Sequence, residues 1–290
     1  MSVEDNKRLV AAFNSHFERS DIDAILALLS EDVTWWINGS PDLFPVTGTI
    51  DKARFAEINR RMHGALDGGL RMEVIGMVAE SDMVAAELCA HALTKDGRAY
   101  RNRYHMLYTV RDGWIVAVAE YTDLMVVAEA FALPTAPTGA EGDAYRSDAE
   151  TALRALDAEL LSGNKRIVAD FLDRFERSDV DALLAHMTDD ATWWVNGRPD
   201  LFPGAGTKSK GELGELLRRM FTSLEQPLRM QADTMVEEGD RVVARVRSDA
   251  VTSSGRTYRN GFLMHFVVRG DRIAAVREYT DLLTAADVFG

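Results

Sequence analysis

The feature that most constrains what this chain can fold into is an internal repeat that runs through almost all of it without a gap. Asn6-Lys7-Arg8 recurs as Asn164-Lys165-Arg166, and Phe17-Glu18-Arg19-Ser20-Asp21 as Phe175-Glu176-Arg177-Ser178-Asp179. Thr34-Trp35-Trp36 with Asn38-Gly39 returns as Thr192-Trp193-Trp194 with Asn196-Gly197, and Glu120-Tyr121-Thr122-Asp123 as Glu278-Tyr279-Thr280-Asp281. Roughly half of all paired positions are identical, so the chain is a tandem duplication of one unit of roughly 125 residues. Two units are too few to stack as a solenoid, so each must bury its own core or the pair must act as a fused dimer. We read it as a fused dimer: domain 1 over residues 1–132, a linker and connecting helix over 133–162, and domain 2 over 163–290. Leu133 to Gly142 carries Pro134, Pro137, Gly139 and Gly142 and cannot continue a helix, whereas Asp148 to Leu161 has helical spacing and stops before Gly163.

Within each copy the periodicity switches once. Leu9, Val10, Phe13 and Phe17 recur at helical spacing, and Ser20-Asp21 supplies an N-cap for a second helix through Ile25, Leu26 and Leu29. Val33 to Asn38 is β-branched and aromatic, a Pro/Gly loop runs to Gly48, and Lys52 to Leu66 predicts a third helix. From Leu70 the period becomes two, predicting long antiparallel strands over 70–80, 83–94, 98–111 and 114–123, with turns at Ser81-Asp82, Lys95-Asp96-Gly97 and Asp112-Gly113. Helices early and strands late is an α+β pattern.

Composition narrows the function classes. The chain has 290 residues, 47% hydrophobic and 27% charged, which is enough for two cores. Its net charge of −13 would repel a phosphate backbone, arguing against nucleic acid and anionic membrane as partners. Cys89 is the single cysteine, so neither an intrachain disulfide nor a thiolate cluster can form within one chain. A polar N-terminus and no long apolar run predict a cytoplasmic protein. No Gly-rich nucleotide motif, nucleophile elbow or metal-ligand spacing stands out, so neither cofactor nor metal is implied.

The element order, the Glu31-Asp32-Val33-Thr34-Trp35-Trp36 run into the first strand and the closing Glu-Tyr-Thr-Asp strand resemble the SnoaL-like branch of the nuclear-transport-factor-2-like superfamily, twice over. The resemblance implies tandem cone-shaped α+β barrels, each with three N-terminal helices against a curved, mostly antiparallel sheet, paired as an intramolecular pseudo-dimer. It also implies an open end that takes an apolar small molecule. It fixes no reaction, because this fold hosts isomerases, cyclases, dehydratases, lyases and plain binding proteins. Aligned on the ketosteroid isomerases of that superfamily, Ile37 and Val195 stand where the catalytic base would be, and Phe13 and Phe171 at the oxyanion-hole tyrosine. Chemistry by that route is therefore not expected in either copy.

Strand alternation nominates the site instead. The even positions Tyr100, Asn102, Tyr104, Met106, Tyr108 and Val110 form an aromatic face with a few hydroxyls. The second copy keeps Tyr258 and Asn260 there but has Phe262 and Phe266 in place of two tyrosines. Val116, Val118, Glu120 and Thr122 share a face of the last strand, which puts one carboxylate on an apolar wall, with Glu278 its counterpart. A carboxyl there would have its pKa raised toward neutrality, suiting general acid/base work. The catalytic candidates are Glu120 with Tyr104, Asn102 and, as a second-choice base on the third helix, His63. Tyr100, Tyr108, Trp35, Met106, Arg61 and Thr122 are the substrate-binding candidates, and Glu278, Tyr258, Asn260 and Trp193 their second-copy counterparts. Adjacent Trp35 and Trp36 must point to opposite faces, so at most one lines the cone. The function expected is cofactor-independent lyase or isomerase chemistry (dehydration, cyclisation or retro-aldol cleavage) on a hydrophobic, hydroxylated aromatic or polycyclic molecule. The alternatives are a binding protein whose cones hold a ligand without converting it, or a scaffold for partner proteins. The competing reading of Glu120 and Glu278 is that they are satisfied buried acids bonded to Arg, Tyr or backbone groups, and further dimerisation of the fused pair stays open.

Overall fold

The computed structural model describes residues 1–135, 156, 161 and 163–289, and places them in two units, Met1–Pro137 and Thr138–Gly290. The expected connecting helix of residues 148–161 lies outside the described residues.

In the first copy, α1 (Val3–His16) starts from a reciprocal cap in which the Ser2 and Asp5 side chains each satisfy the other's backbone N–H. It buries Val10 and Phe13 and runs into a short 3-10 turn, Phe17–Arg19, that ends at left-handed Ser20. Asp21 then caps α2 (Ile22–Ala27), accepting from the Ala24 N–H at 3.0 Å. β1 (Leu29–Ile37) follows, then a loop with buried Leu43 and Phe44, a short β2 (Gly48–Ile50), and α3 (Lys52–Ala65) capped by Asp51. The long strands are β3 (Arg71–Glu80), β4 (Met83–Leu93), β5 (Ala99–Arg111) and β6 (Trp114–Thr122). The sheet order is β2-β1-β6-β5-β4-β3, open at β2 and β3 and antiparallel throughout except for the parallel β1–β6 pair.

Each copy also has a helix after its last strand, which the periodicity reading passed over. Asp123 caps α4 (Leu124–Phe131) by accepting from the Met125 and Val126 N–H groups. The Glu-Tyr-Thr-Asp signature thereby acquires a physical meaning residue by residue. Glu120 faces inward, Tyr121 packs edge-on against Trp36 on the other face at 5.4 Å, Thr122 donates to the Arg103 carbonyl at 3.0 Å, and Asp123 starts the helix. At the far end of β1, Gly39 has φ +134°, and a Cβ there would meet the Leu124 side chain at 2.7 Å, so only glycine lets the loop pass beneath α4.

The second copy repeats this plan: α5 (Gly163–Asp173), α6 (Val180–Ala185), β7 (Met187–Val195), β8 (Gly206–Ser209), α7 (Lys210–Thr222), β9 (Leu224–Glu238), β10 (Arg241–Thr252), β11 (Thr257–Arg269), β12 (Arg272–Thr280) and α8 (Leu282–Phe289). Its sheet order is β8-β7-β12-β11-β10-β9, again with one parallel pair, β7–β12. No helix among the described residues is long and apolar enough to cross a membrane.

Candidate active site

The first copy encloses a cavity of about 370 Å3 between the concave face of its sheet, α3 and α4. Most of its wall is apolar: Ile37 and Ile50 from the strands, Phe55 and Met62 from α3, and Leu124 and Phe131 from α4 all face it. This is within the size range of small-molecule sites, about 300 to 1,000 Å3. Phe131 also packs on Tyr100 with ring centroids 5.2 Å apart, so the C-terminal helix forms part of the binding wall.

Glu120 is the one carboxylate deep in that wall; Glu57, the other acid that lines the cavity, is exposed and 2.6 Å from Arg54. The parallel β1–β6 register sets Glu120 directly beside Ile37, so an acid stands one strand away from the apolar residue at the isomerase-like base position. Its Oε2 accepts from the Trp35 indole N–H at 2.7 Å, and Trp35 is its only hydrogen-bond partner among the described residues. Desolvation raises its pKa from 4.5 to about 7, with the Trp35 bond pulling weakly the other way. The carboxyl is only partly covered, so one side stays open to the cavity. Trp35 is itself fixed between Phe55, 4.3 Å away, and Phe13 at 5.9 Å, which holds the glutamate's orientation.

Tyr100 and Tyr104 line the same cavity, on one face of β5, and their hydroxyls are hydrogen-bonded to each other. Asn102 donates through Nδ2 to the Tyr100 hydroxyl at 3.2 Å and to the Asp123 carbonyl at 3.0 Å, while its Oδ1 accepts from the Arg103 N–H at 2.8 Å. The amide is therefore fully used, and it stands behind the tyrosines without lining the cavity. Either phenol can donate in the Tyr100–Tyr104 pair; with Asn102 filling an acceptor site on Tyr100, a Tyr100 proton given to Tyr104 leaves the Tyr104 proton to the cavity or to the neighbouring Thr122 hydroxyl. Burial raises the pKa of both phenols, keeping them protonated donors.

Other expected residues separate. Trp35, Met106, Thr122 and Arg61 line the cavity, Arg61 as an exposed guanidinium on α3 and Thr122 fully buried. Tyr108 does not line it: strand twist and the packing of α1 turn its buried hydroxyl to Asn14, at 3.3 Å from Oδ1 and 3.2 Å from Nδ2, and to the Met106 sulfur at 2.9 Å. His63 is likewise off the cavity wall; its Nδ1 pairs with Ser20 Oγ at 2.9 Å, its ring lies by Phe17, and burial lowers its pKa. As alternation requires, Trp36 turns to the opposite face from Trp35.

The second copy reproduces the central pair: the Trp193 indole donates to Glu278 Oε2 at 2.8 Å, and desolvation raises the Glu278 pKa to about 7. Asn260 again donates to Tyr258 at 3.1 Å and to the Asp281 carbonyl at 2.8 Å, but Phe262 supplies no second hydroxyl. A residue passed over in the sequence stands here. Lys208 on β8 is directly opposite Trp193, where the first copy has cavity-lining Ile50 opposite Trp35. The signal was the unmatched Ile/Lys pair in an otherwise conserved-looking repeat position, legible only once the short strand is known.

Similar solved structures align with one copy at a time. An NTF2-like protein from Burkholderia xenovorans is 24% identical, covering 45% of this chain and 98% of its own with a TM-score of 0.36. A protein from Penicillium brasilianum, PrhC, is 18% identical over 45% of this chain and 88% of its own, with a TM-score of 0.41. An NTF2-like protein from Anabaena variabilis is 21% identical over 42% and 94%, with a TM-score of 0.35. No curated protein sequence matches significantly. The family model of the SnoaL-like domain matches twice, over residues 8–118 and 168–276, in register with the two folded copies. The chain therefore belongs to the SnoaL-like domain family, as a tandem of two such domains.

Proposed function

We propose that the first copy is a cofactor-independent acid/base enzyme of lyase or isomerase type, acting in the cytoplasm on a hydrophobic, hydroxylated aromatic or polycyclic molecule. The observation that carries this reading is Glu120: a carboxyl with a pKa of about 7, pinned by one indole, facing an apolar cavity beside two hydroxyls. A base tuned near neutrality is half ionised at working pH and can both take and return a proton. Ionised Glu120 would remove the proton from carbon next to a carbonyl of the substrate. The Tyr104 hydroxyl, with Tyr100 and Asn102 behind it, would donate to the oxygen on which negative charge develops. Returning the proton to another carbon gives isomerisation, and returning it to a departing β-hydroxyl releases water. In the retro-aldol outcome Glu120 would instead take the carbinol O–H proton, the bond from the carbinol carbon to the α-carbon would break to a carbonyl and an enolate, and Glu120 would return the proton to the enolate carbon. Apolar walls and α4 exclude water that would otherwise level the glutamate's pKa.

The test is solvent deuterium incorporation, followed by NMR, into a bicyclic hydroxylated carbon acid such as 6-hydroxy-2-tetralone and a panel of related aryl ketones. Exchange is expected with the wild-type protein and lost in Glu120→Gln with the fold intact. Wild-type rates in that variant end the assignment, and ligand binding without exchange across the panel supports the binding-protein alternative. The same proposal takes the two copies as an intramolecular pseudo-dimer, for which small-angle scattering should return one compact particle and not two tethered domains.

A further inference from the structure

The second copy holds a charged group for which the first has no equivalent. In the β7–β8 ladder Lys208 is the cross-strand partner of Trp193, and cross-strand partners place their side chains on one face. Trp193 turns inward to bind Glu278, so Lys208 shares that face with the glutamate. The first copy shows what the face becomes, since both members of the matching Trp35–Ile50 pair line its cavity. Lys208 is half-buried, and its ammonium donates to the carbonyls of Gly204 and, at 3.2 Å, Ala205. Two of three N–H bonds are thus engaged and the third is left. Lys208 and Glu278 act on each other electrostatically but form no ion pair, so neither neutralises the other by contact. Desolvation lowers the Lys208 pKa, the nearby Glu278 and Glu212 opposing it.

We propose that the second copy carries a separate binding site for a small hydrophobic carboxylate, held between Lys208 and Glu278. Lys208 donates its remaining N–H to one carboxylate oxygen, and Glu278 in its protonated form donates to the other. Tyr258, whose oxygen already accepts from Asn260, has its own proton for the same group. The body of the ligand would take the place that the cavity-lining Tyr104 and Met106 border in the first copy, where the second has the apolar pair Phe262 and Met264. A half-buried cation whose hydrogen bonds go only to backbone carbonyls can still bond an anion, whereas the first copy has an isoleucine at this point and, on α3, exposed arginines at the cavity rim. The two copies therefore select different ligands: neutral and hydroxylated in one, anionic in the other. This inference goes beyond the proposed enzyme activity and does not depend on it.

The experiment titrates full-length protein by calorimetry with matched pairs of benzoate and benzamide, cinnamate and cinnamamide, and 2-naphthoate and 2-naphthamide. At least one acid should bind about tenfold more tightly than its amide, the effect of one hydrogen bond to a charged group. Lys208→Ile, which installs the first copy's own residue, and Lys208→Met should bring the pair within about twofold, whereas Glu120→Gln should leave the preference intact. The proposal is overturned if no acid is preferred over its amide by the wild-type protein. It is equally overturned if the Lys208 variants lose thermal stability yet keep the preference, which would make the lysine a clamp for the loop before β8 and nothing more.

Discussion

The two copies share a backbone plan and a carboxyl–indole pair, and they differ in the polar groups set around that pair. In copy one the hydrogen-bonded line Asn102–Tyr100–Tyr104 runs along β5 to the cavity that Glu120 faces. In copy two the line stops at Tyr258, because Phe262 has no hydroxyl, and Lys208 enters from the other side of the indole. What is common to both is therefore what the fold requires for an inward acid: a parallel β-pair to position it and a tryptophan to hold it. What differs is the set of polar groups that the proposed function would use to select a ligand and stabilise a transition state. A half-buried glutamate with a pKa near neutrality stands in both copies, so the proposal that only the first is active rests on the groups around it.

The largest expected effect tests that distinction directly. Glu120→Gln should lower turnover by about a thousandfold, within the range for loss of a general base, while Glu278→Gln leaves it unchanged. Equal losses in the two variants would break the comparison and make both copies active. With Glu120 acting as the base, kcat/KM should rise with pH and level off above about 7, because the ionised form is the competent one. A profile that falls through the same region assigns it as the acid.

The same carboxyls bear on stability. Folding raises their pKa, so the folded protein binds more protons than the unfolded chain between about 4.5 and 7, and stability must fall as pH rises through that window. Replacing either by glutamine removes the cost, worth on the order of 3 kcal/mol at pH 8 for a change of this size. Urea denaturation of Glu120→Gln and Glu278→Gln at pH 8 and pH 5 should show a gain at the higher pH that shrinks at the lower. Gains confined to one copy would show that only that carboxyl is desolvated.

A smaller effect separates the hydroxyl line from the acid. Tyr104→Phe gives copy one the residue of copy two and should cost about a hundredfold in kcat with little change in KM, as expected for one oxyanion donor. The reciprocal Phe262→Tyr should confer no activity on copy two, where Lys208 alters the neighbouring wall. Activity gained by Phe262→Tyr would instead show that the hydroxyl line is the whole difference.

Much of this was legible in the sequence, for reasons that particular residues make plain. The long strands were readable because Tyr100 to Tyr104 alternates apolar or amide with charged residues and the turns carry Ser81-Asp82 and Asp112-Gly113, although burial becomes continuous from Tyr104 to Tyr108. Glu120 was readable because it interrupts an apolar face of the last strand. Helix α4 was missed although Asp123 is an ordinary cap, since Leu124 to Phe131 is so apolar that it shows no polar face to mark a period. β2 and β8 were missed because three or four residues carry no period at all, and Lys208 was lost with them. Alternation could say that Asn102 and Tyr108 face inward but not how deep along the strand the cavity extends. That depends on where α1 and the amide of Asn102 meet the sheet, which is tertiary information.

Tyr108 gives the sharpest test of that last point. Its hydroxyl pairs with Asn14 in copy one, and the matched positions in copy two are Phe266 and Leu172, so both polar partners are absent together. If the pair only fills the contact between α1 and the sheet, Tyr108→Phe should leave the buried Asn14 amide without its hydroxyl partner and cost about 1 to 2 kcal/mol. Asn14→Leu alone should cost about as much by stranding the phenol. The double variant, which restores the apolar contact that copy two already uses, should fall within about 1 kcal/mol of the wild type, giving a coupling energy of opposite sign to the two single losses. Exchange rates should be unaffected throughout, since neither side chain lines the cavity. A Tyr108→Phe variant that folds normally but loses exchange would return Tyr108 to the site, and the cavity would have to reach further toward α1 than its walls now indicate.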